Sequence, residues 1–576
     1  MKLSKEKRNL LETDGHLLVL GGPGCGKTTI ALLKAARDIS SYSSFQKILF
    51  LSFARSTVLR IAEKAKGILQ KDTLRRFEIS TYHGFAWTIL KSYGYLLNKG
   101  NKLRIITPPE AASKLAEFTE EESEVEKIRL FEHEGLLHFD LFAKYTYQLL
   151  SESEKIRSIL CKSFPIIILD EFQDTNFDEW KLVTELGKHS TLIALADLEQ
   201  RIYEFRGANP ERIDDFIKKY RPTQFDFAQE NHRSKGKDIV SYGNDILTGE
   251  NLTKQYKDVK YILYKTYAKT QAHLQLKIEL INAIQRVNSK DNWSIAILVP
   301  TKNLIGQTSD FLSVSQIVKG KRIPRINHSV QLEMAGPSLA AINITRLFEK
   351  KADHKVILAD LIDHMRGRNG AKKSSQATLS LTKALESYLE TGDVRGKNRI
   401  KIVEEAKNIA NVCSKLEFSG EPGSDWILIR DVFEESNCAE FQQIAYDSKF
   451  LRLLRKGAFF NSSLADLWRK TGTYVGSVDL VKGSLLQEHF SLTNSFPIGV
   501  HIMTIYASKG KEFDEVIIYE GSTPYRDKIL SNKETPKSLL QKKYALRVAV
   551  TRAMQRTTIL TPENDPSPLV FSEKEN

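Results

Sequence analysis

A glycine-rich segment near the start of the chain constrains the fold more than any other feature. Residues 21–28 read Gly-Gly-Pro-Gly-Cys-Gly-Lys-Thr, between a short apolar run at 16–20 and a series of good helix formers from Thr29 onward. The spacing G-x-x-x-x-G-K-[ST] between a strand and a helix is typical of a phosphate-binding loop, whose backbone N–H groups and helix start surround phosphate oxygens. The segment therefore predicts a nucleotide-binding α/β domain.

Short apolar runs recur along the chain and indicate further buried strands. Helix-forming stretches separate them, which is the pattern of parallel strands covered by helices on both faces. We therefore predict an α/β fold with two parallel-sheet domains, each carrying a mostly helical insertion. After the first run, the others occupy 47–52, 164–169, 191–196, 293–300, 500–504, 515–519 and 557–560.

The length of the chain also predicts several domains. Its 576 residues exceed what one hydrophobic core usually supports. The final residues, 564–576, are polar and are expected to fray. The predicted division is a first sheet domain in 1–90 and 161–235, its helical insertion in 91–160, a second sheet domain in 236–334 and 491–576, and its helical insertion in 335–490.

Composition restricts the partners and the compartment. Lys and Arg number 85 against 71 Asp and Glu, and the formal charge of +14 suits a polyanionic partner without proving one. The four cysteines form no Cys-x-x-Cys pair, so neither zinc nor a disulfide is expected. No apolar run reaches the roughly 18 residues that span a bilayer, and no signal-peptide core is present. We expect a cytoplasmic protein without a membrane partner.

A second motif supplies the carboxylates that nucleotide hydrolysis needs. An apolar strand from Ile166 ends in Asp170 and Glu171, at the edge where α/β sheets bind ligands. Thr28 and Asp170 are expected to hold Mg²⁺, a cation that prefers oxygen ligands, while Lys27 neutralises phosphate charge. Glu171 is then placed to orient or deprotonate the attacking water. The predicted cofactors are ATP and Mg²⁺.

Eight motifs in a fixed order resemble those of the UvrD/Rep/PcrA group of superfamily 1A DNA helicases. They cover both predicted sheet domains but little of the two insertions. The resemblance implies two RecA-like domains with ATP bound between them. In chain order the motifs are residues 21–29, Leu51-Ser-Phe-Ala-Arg-Ser, Ser80-Thr-Tyr-His-Gly-Phe-Ala, Asp170-Glu-Phe-Gln-Asp-Thr-Asn, Ala196-Asp-Leu-Glu-Gln-Arg-Ile-Tyr-Glu-Phe-Arg-Gly-Ala, Glu230-Asn-His-Arg-Ser, Met503-Thr-Ile-Tyr-Ala-Ser-Lys-Gly-Lys-Glu-Phe and residues 548–553.

The resemblance also implies roles for individual residues. The implied nucleotide contacts are Gly21, Gly22, Pro23, Gly24, Cys25, Gly26, Lys27, Thr28, Thr29 and, at the ribose, Glu512. The implied catalytic residues are Lys27, Asp170, Glu171, the γ-phosphate sensor Gln200, and the arginine fingers Arg233 and Arg552. The implied DNA contacts, of which the aromatic ones can stack on bases, are Phe53, Thr81, Tyr82, His83, Tyr203, Phe205, Arg206 and Thr504.

Three positions depart from the family pattern. Lys7 stands where relatives place a glutamine that reads the adenine edge, and lysine donates but cannot accept a hydrogen bond, so the nucleotide preference stays open. Tyr506 replaces a frequent histidine, and Arg547 fills an aromatic position. For a single aromatic such as Phe53 or Tyr82, packing in the core is a more common role than stacking on a base.

Two functions fit these features. The first is an ATP-dependent helicase or translocase acting on single-stranded DNA or on DNA with single-stranded tails, with the 3′-to-5′ direction implied by the resemblance alone. The second is a DNA-sensing ATPase that regulates a partner nuclease in an antiphage defence complex similar to Gabija, since little sequence follows Arg552 and DNA cutting is then expected from a partner. RNA is also open as a substrate. The intact set of implied catalytic residues argues against an inactive scaffold.

Overall fold

A computed structural model describes most of the chain. The described ranges are 4–22, 24–53, 55–98, 103–197, 211–227, 236–265, 269–318, 320–331, 335–349, 353–370, 374–449, 451, 459–490, 498–521, 529 and 536–570.

Sixteen strands lie in the described ranges, and twelve of them form two six-stranded sheets. The remaining four form two short two-stranded ladders. The strands are β1 (Leu17–Leu20), β2 (Ile48–Ser52), β3 (Phe77–Thr81), β4 (Arg104–Ile105), β5 (Leu136–Leu137), β6 (Ile166–Leu169), β7 (Thr191–Ala196), β8 (Thr223–Asp226), β9 (Val259–Tyr264), β10 (Ser294–Val299), β11 (Gln316–Val318), β12 (Lys321–Ile323), β13 (His328–Gln331), β14 (Gly499–Thr504), β15 (Phe513–Tyr519) and β16 (Ala553–Pro562).

Helices connect the strands and fill both predicted insertions. Among the described residues, none of these helices is both long and apolar enough to cross a lipid bilayer. They are α1 (Lys5–Glu12), α2 (Lys27–Asp38), α3 (Arg55–Ile68), α4 (Lys71–Leu74), α5 (Tyr82–Tyr93), α6 (Pro108–Lys114), α7 (Glu120–Glu134), α8 (Phe142–Glu152), α9 (Glu154–Ser163), α10 (Phe177–Leu186), α11 (Arg212–Tyr220), α12 (Ile239–Thr248), α13 (Lys269–Val287), α14 (Lys302–Ser313), α15 (Ala335–Phe348), α16 (His354–Gly367), α17 (Gln376–Thr391), α18 (Lys397–Ser414), α19 (Pro422–Glu434), α20 (Ala439–Ser448), α21 (Phe459–Thr471), α22 (Ser477–Phe490) and α23 (Pro536–Val550).

The first sheet is parallel throughout, in the order β3-β2-β6-β7-β1-β8. Its central strands are apolar on both faces, and β2 and β6 are buried along their whole length. Helices cover both faces of such a sheet, so its strands read as continuous apolar runs. All six strands end at one edge, where the glycine-rich loop follows β1 and Asp170 follows β6.

The second sheet is also parallel, in the order β13-β14-β10-β15-β16-β9. β10 and β15 are buried along their whole length. The end of β14 and the start of β15 bracket the segment from Thr504 to Glu512, which carries most of the seventh motif. The first residues of that motif therefore lie at the carboxyl end of β14, whereas Glu512 directly precedes β15.

The predicted α/β fold with two parallel sheets is confirmed. The eight apolar runs correspond to the eight inner strands of the two sheets, whereas the sequence analysis missed the four outer strands β3, β8, β9 and β13. An outer strand has a neighbour on one side only, and polar residues interrupt its apolar pattern. β8, for example, reads Thr-Gln-Phe-Asp and is mostly exposed.

The chain divides into two compact units by its internal contacts. One unit comprises 1–89, 143–332 and 492–576 and contains both six-stranded sheets. The other comprises 90–142 and 333–491 and is almost entirely helical, with a core from α15 to α22 that buries Ile344, Leu358 and Ile429. The division of the chain into four domains remains a prediction.

The expectation that the chain frays from residue 564 is wrong as far as Val570. Leu569 and Val570 are buried in the core of the second sheet. The Asn251 side-chain amide donates a hydrogen bond of 2.8 Å to the Leu569 carbonyl. Two buried apolar side chains and this hydrogen bond hold the short polar segment against the sheet.

We predict that the helical unit loses stability in mild acid because of His364. This side chain is fully buried, its Nε2 lies 3.0 Å from Asp447 Oδ2, and burial lowers its pKa below the ordinary value of 6.5 despite that bond. The unfolded chain therefore takes up a proton that the folded state refuses, and stability falls as the pH drops below 6.5. Thermal melts between roughly pH 7 and roughly pH 5 should show a weaker pH dependence for His364→Gln than for the parent.

The matched control is His133→Gln, since His133 lies exposed on α7 of the same unit. Its melting profile should follow that of the parent. An unchanged pH dependence in His364→Gln would contradict the assignment.

Candidate nucleotide-binding and hydrolysis site

The glycine-rich loop joins β1 to α2 as its spacing predicted. Gly26 immediately precedes α2 with a φ of +93°, a left-handed conformation that side chains rarely adopt. A Cβ at Gly21 would lie 2.7 Å from Cys25 Sγ, so the loop closes tightly on itself. The helix thus begins with free backbone N–H groups at the loop, which is the arrangement that binds phosphate.

Lys27 lies folded across this loop. Its ammonium donates hydrogen bonds to the carbonyl of Gly21 at 2.5 Å and to that of Gly22 at 3.1 Å. Thr28 and Thr29 follow in the first turn of α2 and are partly exposed. An ammonium held by two carbonyls at the loop is suitably placed to exchange those partners for phosphate oxygens. The loop therefore fits the phosphates of a nucleotide.

Lys7 has a contact that its motif position did not suggest. Its Nζ donates to the Cys25 carbonyl at 2.9 Å and lies 5.2 Å from the centre of the Phe227 ring. The side chain is only 5% exposed. Its role at the adenine edge remains a prediction, while the described contact holds the back of the glycine-rich loop.

The carboxylates expected to serve hydrolysis lie directly after β6. Asp170 is 6% exposed and accepts a hydrogen bond of 3.1 Å from the Ser52 hydroxyl at the end of β2. Burial raises the pKa of Asp170 to about 6, and the neighbouring charge of Glu171 adds to the rise. A buried carboxylate of this kind gains from a cation beside it, and hard divalent cations prefer such oxygen donors. Its donor chemistry fits Mg²⁺.

Glu171 is held in a different electrostatic environment. Burial opposes its ionisation, but the charges of Lys509, Lys27 and Arg552 and a hydrogen bond of 2.7 Å from the Gln173 amide outweigh burial and hold its pKa below the usual value. Its backbone is left-handed, with a φ of +51°, which is uncommon outside glycine. The two adjacent carboxylates are thus driven in opposite directions, and Glu171 is the one kept ionised.

A buried amide joins two strands beside these carboxylates. Gln173 is 2% exposed, and its Oε1 accepts a hydrogen bond of 3.1 Å from the backbone N–H of Asp197, which follows β7. Its Nε2 donates to Glu171, so one side chain ties the fourth and fifth motifs together. The sequence analysis quoted Gln173 within a motif without giving it a role. Its position between two acidic residues in that motif was the only available signal.

Side chains of the second sheet reach the carboxylates of the first. Lys509 forms a buried ion pair with Asp174, and their side chains are 4% and 0% exposed. Arg60 Nη1 of α3 lies 2.7 Å from Glu512 Oε1, both partly exposed. These pairs define a seam between the two sheets, inside one compact unit. None of the pairings was predicted, because they join residues that are far apart in sequence.

Gly510 allows this close approach. Its φ is +77°, and a Cβ at this position would lie 2.2 Å from Thr57 Oγ1 on α3. A side chain would therefore need both a strained backbone and a rearranged Thr57 side chain. This glycine lets the motif after β14 lie against the first sheet's helix.

Arg552 and Arg547 are both buried at the second sheet. Arg552 is 2% exposed, its Nε donates to the Val548 carbonyl at 3.0 Å, and its charge helps to lower the pKa of Glu171. Arg547 is 1% exposed and forms an ion pair of 3.8 Å with Asp197 of the first sheet. Arg547, at a position where the family resemblance implies an aromatic residue, thus contributes a further cation to the seam beside Lys509 and Arg552.

Some of the implied DNA contacts lie in the described ranges and the others lie outside them. Tyr82 is 2% exposed at the start of α5, and its ring centre is 5.9 Å from that of Phe53. Its buried hydroxyl has no hydrogen-bond partner among the residues that the structure describes. Thr81 Oγ1 accepts from the Gly84 N–H at 3.0 Å, and Thr504 Oγ1 accepts from the Ala507 N–H at 3.3 Å.

Those hydroxyls shape local turns, and His83 is partly exposed beside them. The roles of all these residues in DNA binding remain predictions. Six further predicted site residues lie outside the described ranges: Pro23, Gln200, Tyr203, Phe205, Arg206 and Arg233.

The fold and the seam together define a class of protein. Two parallel α/β sheets, a G-x-x-x-x-G-K-[ST] loop on the first, and cations from the second beside the first sheet's carboxylates describe a two-sheet phosphate-loop protein. Residues 3–134 and 126–221 match the family model for the UvrD/REP helicase N-terminal domain.

Relatives match over most of the chain. YjcD of Bacillus subtilis (strain 168), a candidate ATP-dependent DNA helicase, is 22% identical across 96% of this chain and 78% of its own length. A DNA helicase II homolog of Rickettsia conorii is 22% identical across 97% of this chain and 92% of its own length. The helicase PcrA of Leuconostoc citreum is 23% identical across 43% of this chain and 39% of its own.

Among solved structures, the Pif1 helicase of Candida albicans aligns with 50% of this chain and 55% of its own at 12% identity, with a TM-score of 0.27. The family model and the relatives confirm the resemblance that the motifs predicted. The chain is thus similar to ATP-dependent DNA helicases of the UvrD/PcrA/Rep type, over residues 3–221 by the family model and over most of its length by the relatives.

We predict that the Lys509–Asp174 pair holds the seam together. Removing one partner takes the nearest counter-charge away from the other buried side chain, and breaking a buried pair in this way costs about 3–5 kcal/mol. Asp174→Asn and Lys509→Met should each lower the melting temperature of the sheet unit, whereas the double variant should recover part of the loss. Calorimetry of the four proteins measures the coupling.

The matched control is the exposed pair Lys254–Glu250 on the same unit. Lys254→Met should change the melting temperature little, because exposed ion pairs contribute at most about 1 kcal/mol. Additive losses at Asp174 and Lys509 would contradict the prediction.

Proposed function

We propose that this protein is an ATP-driven motor that translocates in the 3′-to-5′ direction along single-stranded DNA and acts on DNA with single-stranded tails. The observation that carries the proposal is the meeting of charges at Glu171, whose pKa is lowered by Lys27 on the first sheet and by Lys509 and Arg552 on the second. In a motor, ATP hydrolysis must depend on how far apart two parts of the protein are. Because Glu171 receives its neighbouring cations from both sheets, hydrolysis at this site depends on the separation of the two sheets.

The chain's own residues supply the chemistry at this site. Lys27 and the N–H groups at the start of α2 bind phosphate charge, and Asp170 with Thr28 would hold Mg²⁺. When bound, ATP supplies the scissile phosphoanhydride and the metal shields its charge. Glu171 is kept ionised, so it can accept a proton from water at its carboxylate. Arg552 adds positive charge from the second sheet, as charge stabilisation of phosphoryl transfer requires.

The seam offers a route from hydrolysis to movement. Hydrolysis keeps the negative charge in the site until phosphate leaves, and the departure of phosphate would then change the balance of charges at the seam between Lys27, Lys509 and Glu171. Such a change favours a different separation of the two sheets, since a ligand shifts a conformational equilibrium only through differential contacts. Alternating separation, with alternating grip on a strand, would produce steps along DNA.

The proposed site predicts the outcome of two substitutions. Lys27→Ala removes a phosphate-binding cation and Glu171→Gln removes the proton acceptor, so each should lower DNA-stimulated ATP hydrolysis by about 10²–10⁴-fold. Phosphate release with and without single-stranded DNA measures the effect. Lys66→Ala and Glu63→Gln change exposed residues of α3 and serve as controls. Normal turnover in either site variant would refute the proposed site.

The direction of movement needs its own measurement. Strand displacement from a duplex with a 3′ single-stranded tail should exceed displacement from the same duplex with a 5′ tail, because a 3′-to-5′ motor loads on the 3′ tail and runs toward the duplex. Glu171→Gln with the same DNA provides the background. Equal displacement from both tails, or a preference for the 5′ tail, would reject the proposed polarity.

Regulation of a partner nuclease in an antiphage complex remains the alternative. It differs from the motor in one observable, since a DNA sensor hydrolyses ATP on binding DNA but displaces no strand. Turnover stimulated by single-stranded DNA without strand displacement, together with co-purification of a nuclease, would favour it. The same assay with single-stranded RNA tests the sugar preference.

A further inference from the structure

A small antiparallel hairpin stands apart from every motif of the sequence. Strands β11 (Gln316–Val318) and β12 (Lys321–Ile323) form a two-stranded ladder between α14 and β13. Gly320 lies at the turn with a φ of +75°, and nothing lies within 4 Å of where its Cβ would be. The hairpin belongs to neither six-stranded sheet.

One side of the hairpin is anchored to the unit that carries the two sheets. Lys277 of α13 is fully buried, and its Nζ donates to the Val314 carbonyl at 2.8 Å and to Gln316 Oε1. The Gln316 amide donates to the Phe311 carbonyl at 2.8 Å. Ile326 after the hairpin is tied back to the Leu312 carbonyl at 2.9 Å. The base of the hairpin is therefore held in one orientation.

The other side presents an apolar residue beside a cation. Ile317 is 79% exposed, the highest value among the exposed large apolar side chains of the described residues. In the ladder it faces Arg322, so the two side chains share one face of the hairpin. Val314 at its base is 56% exposed.

All charged residues of segment 314–327 are basic. Residues 314–327 contain four basic residues, at Lys319, Lys321, Arg322 and Arg325, and neither an acidic nor an aromatic residue. Lys321, Arg322 and Arg325 are exposed and form no ion pair within the described part of the chain. Three cations without a protein counter-charge indicate a polyanionic partner.

We infer that the hairpin 314–327 docks on double-stranded DNA adjoining the single strand on which the motor moves. This inference rests on the proposed function for the identity of the polyanion as DNA. A two-stranded ribbon fits the major groove, where basic side chains reach phosphates and an aliphatic side chain contacts thymine methyl groups. A site for single strands would need aromatic platforms for stacking, which this segment lacks.

The test compares duplex binding as salt is varied. Each cation that contacts a phosphate adds about 0.9 to the slope of log affinity against log salt on B-form DNA. Lys321→Ala combined with Arg322→Ala should lower that slope by about 1.8, so the loss of affinity for a blunt duplex between roughly 50 and roughly 200 mM salt becomes about tenfold smaller. Ile317→Ser should weaken duplex binding a few-fold without changing the slope.

The matched control is Lys218→Ala combined with Lys219→Ala, two exposed lysines at the end of α11 in the same unit. For this control, the slope of log affinity against log salt should match that of the parent protein. All variants should keep the parent melting temperature and the ATP turnover stimulated by a single-stranded oligonucleotide, because the hairpin lies outside the hydrolysis site.

The outcomes separate the two proposals. A parent protein whose turnover ignores single-stranded DNA contradicts the proposed function, yet the slope on duplex can still be measured. A hairpin variant with parent affinity and slope on duplex overturns the inference. So does a loss of affinity for the single strand equal to the loss on duplex. An effect of Ile317→Ser with no effect of the two basic residues also overturns it, and marks the surface as a protein contact.

Discussion

Burial of carboxylates at the seam is the constraint on which the rest of the site depends. Asp170, Glu171 and Asp174 lie within five residues of sequence; Asp170 and Asp174 are buried, and Glu171 is half-buried. Burial raises the pKa of Asp174 to about 7 even though Lys509 lies against it. Three such groups are tolerable only with cations beside them, and the second sheet supplies those cations. The first sheet's site is therefore incomplete without the second sheet.

This dependence explains why the motifs are spread over the whole chain. A parallel sheet brings the ends of its strands to one edge, so loops that are distant in sequence become neighbours in space. The glycine-rich loop, the carboxylates after β6 and Asp197 after β7 share the first sheet's edge, and Lys509 comes from the second. The relatives share about a fifth of their residues with this chain over most of its length. Identity this low is compatible with the same fold because the pattern of burial, rather than each residue, specifies a sheet.

The helical unit and the hairpin 314–327 both differ from the seam, because neither contains a predicted residue of the nucleotide site. The helical unit buries its own core and contains none of the predicted nucleotide-site residues. The hairpin is anchored by a buried lysine and a glutamine but leaves an isoleucine in water. Exposed apolar surface next to unpaired cations costs stability and solubility unless a partner covers it. The combination of an exposed isoleucine with neighbouring basic side chains distinguishes the hairpin from an ordinary surface turn.

The sequence by itself determined the fold class, the eight inner strands, the phosphate loop and the carboxylate pair. Each of these is a local pattern, since an inner strand is apolar on both faces and a loop motif is continuous in the chain. Tertiary structure alone decided the four outer strands, the contact of Lys7 with the loop carbonyl, the burial of Tyr82, and the pairing of Asp174 with Lys509. Those features depend on what packs against a residue from far along the chain. No local periodicity or spacing encodes a neighbour that lies 335 residues away.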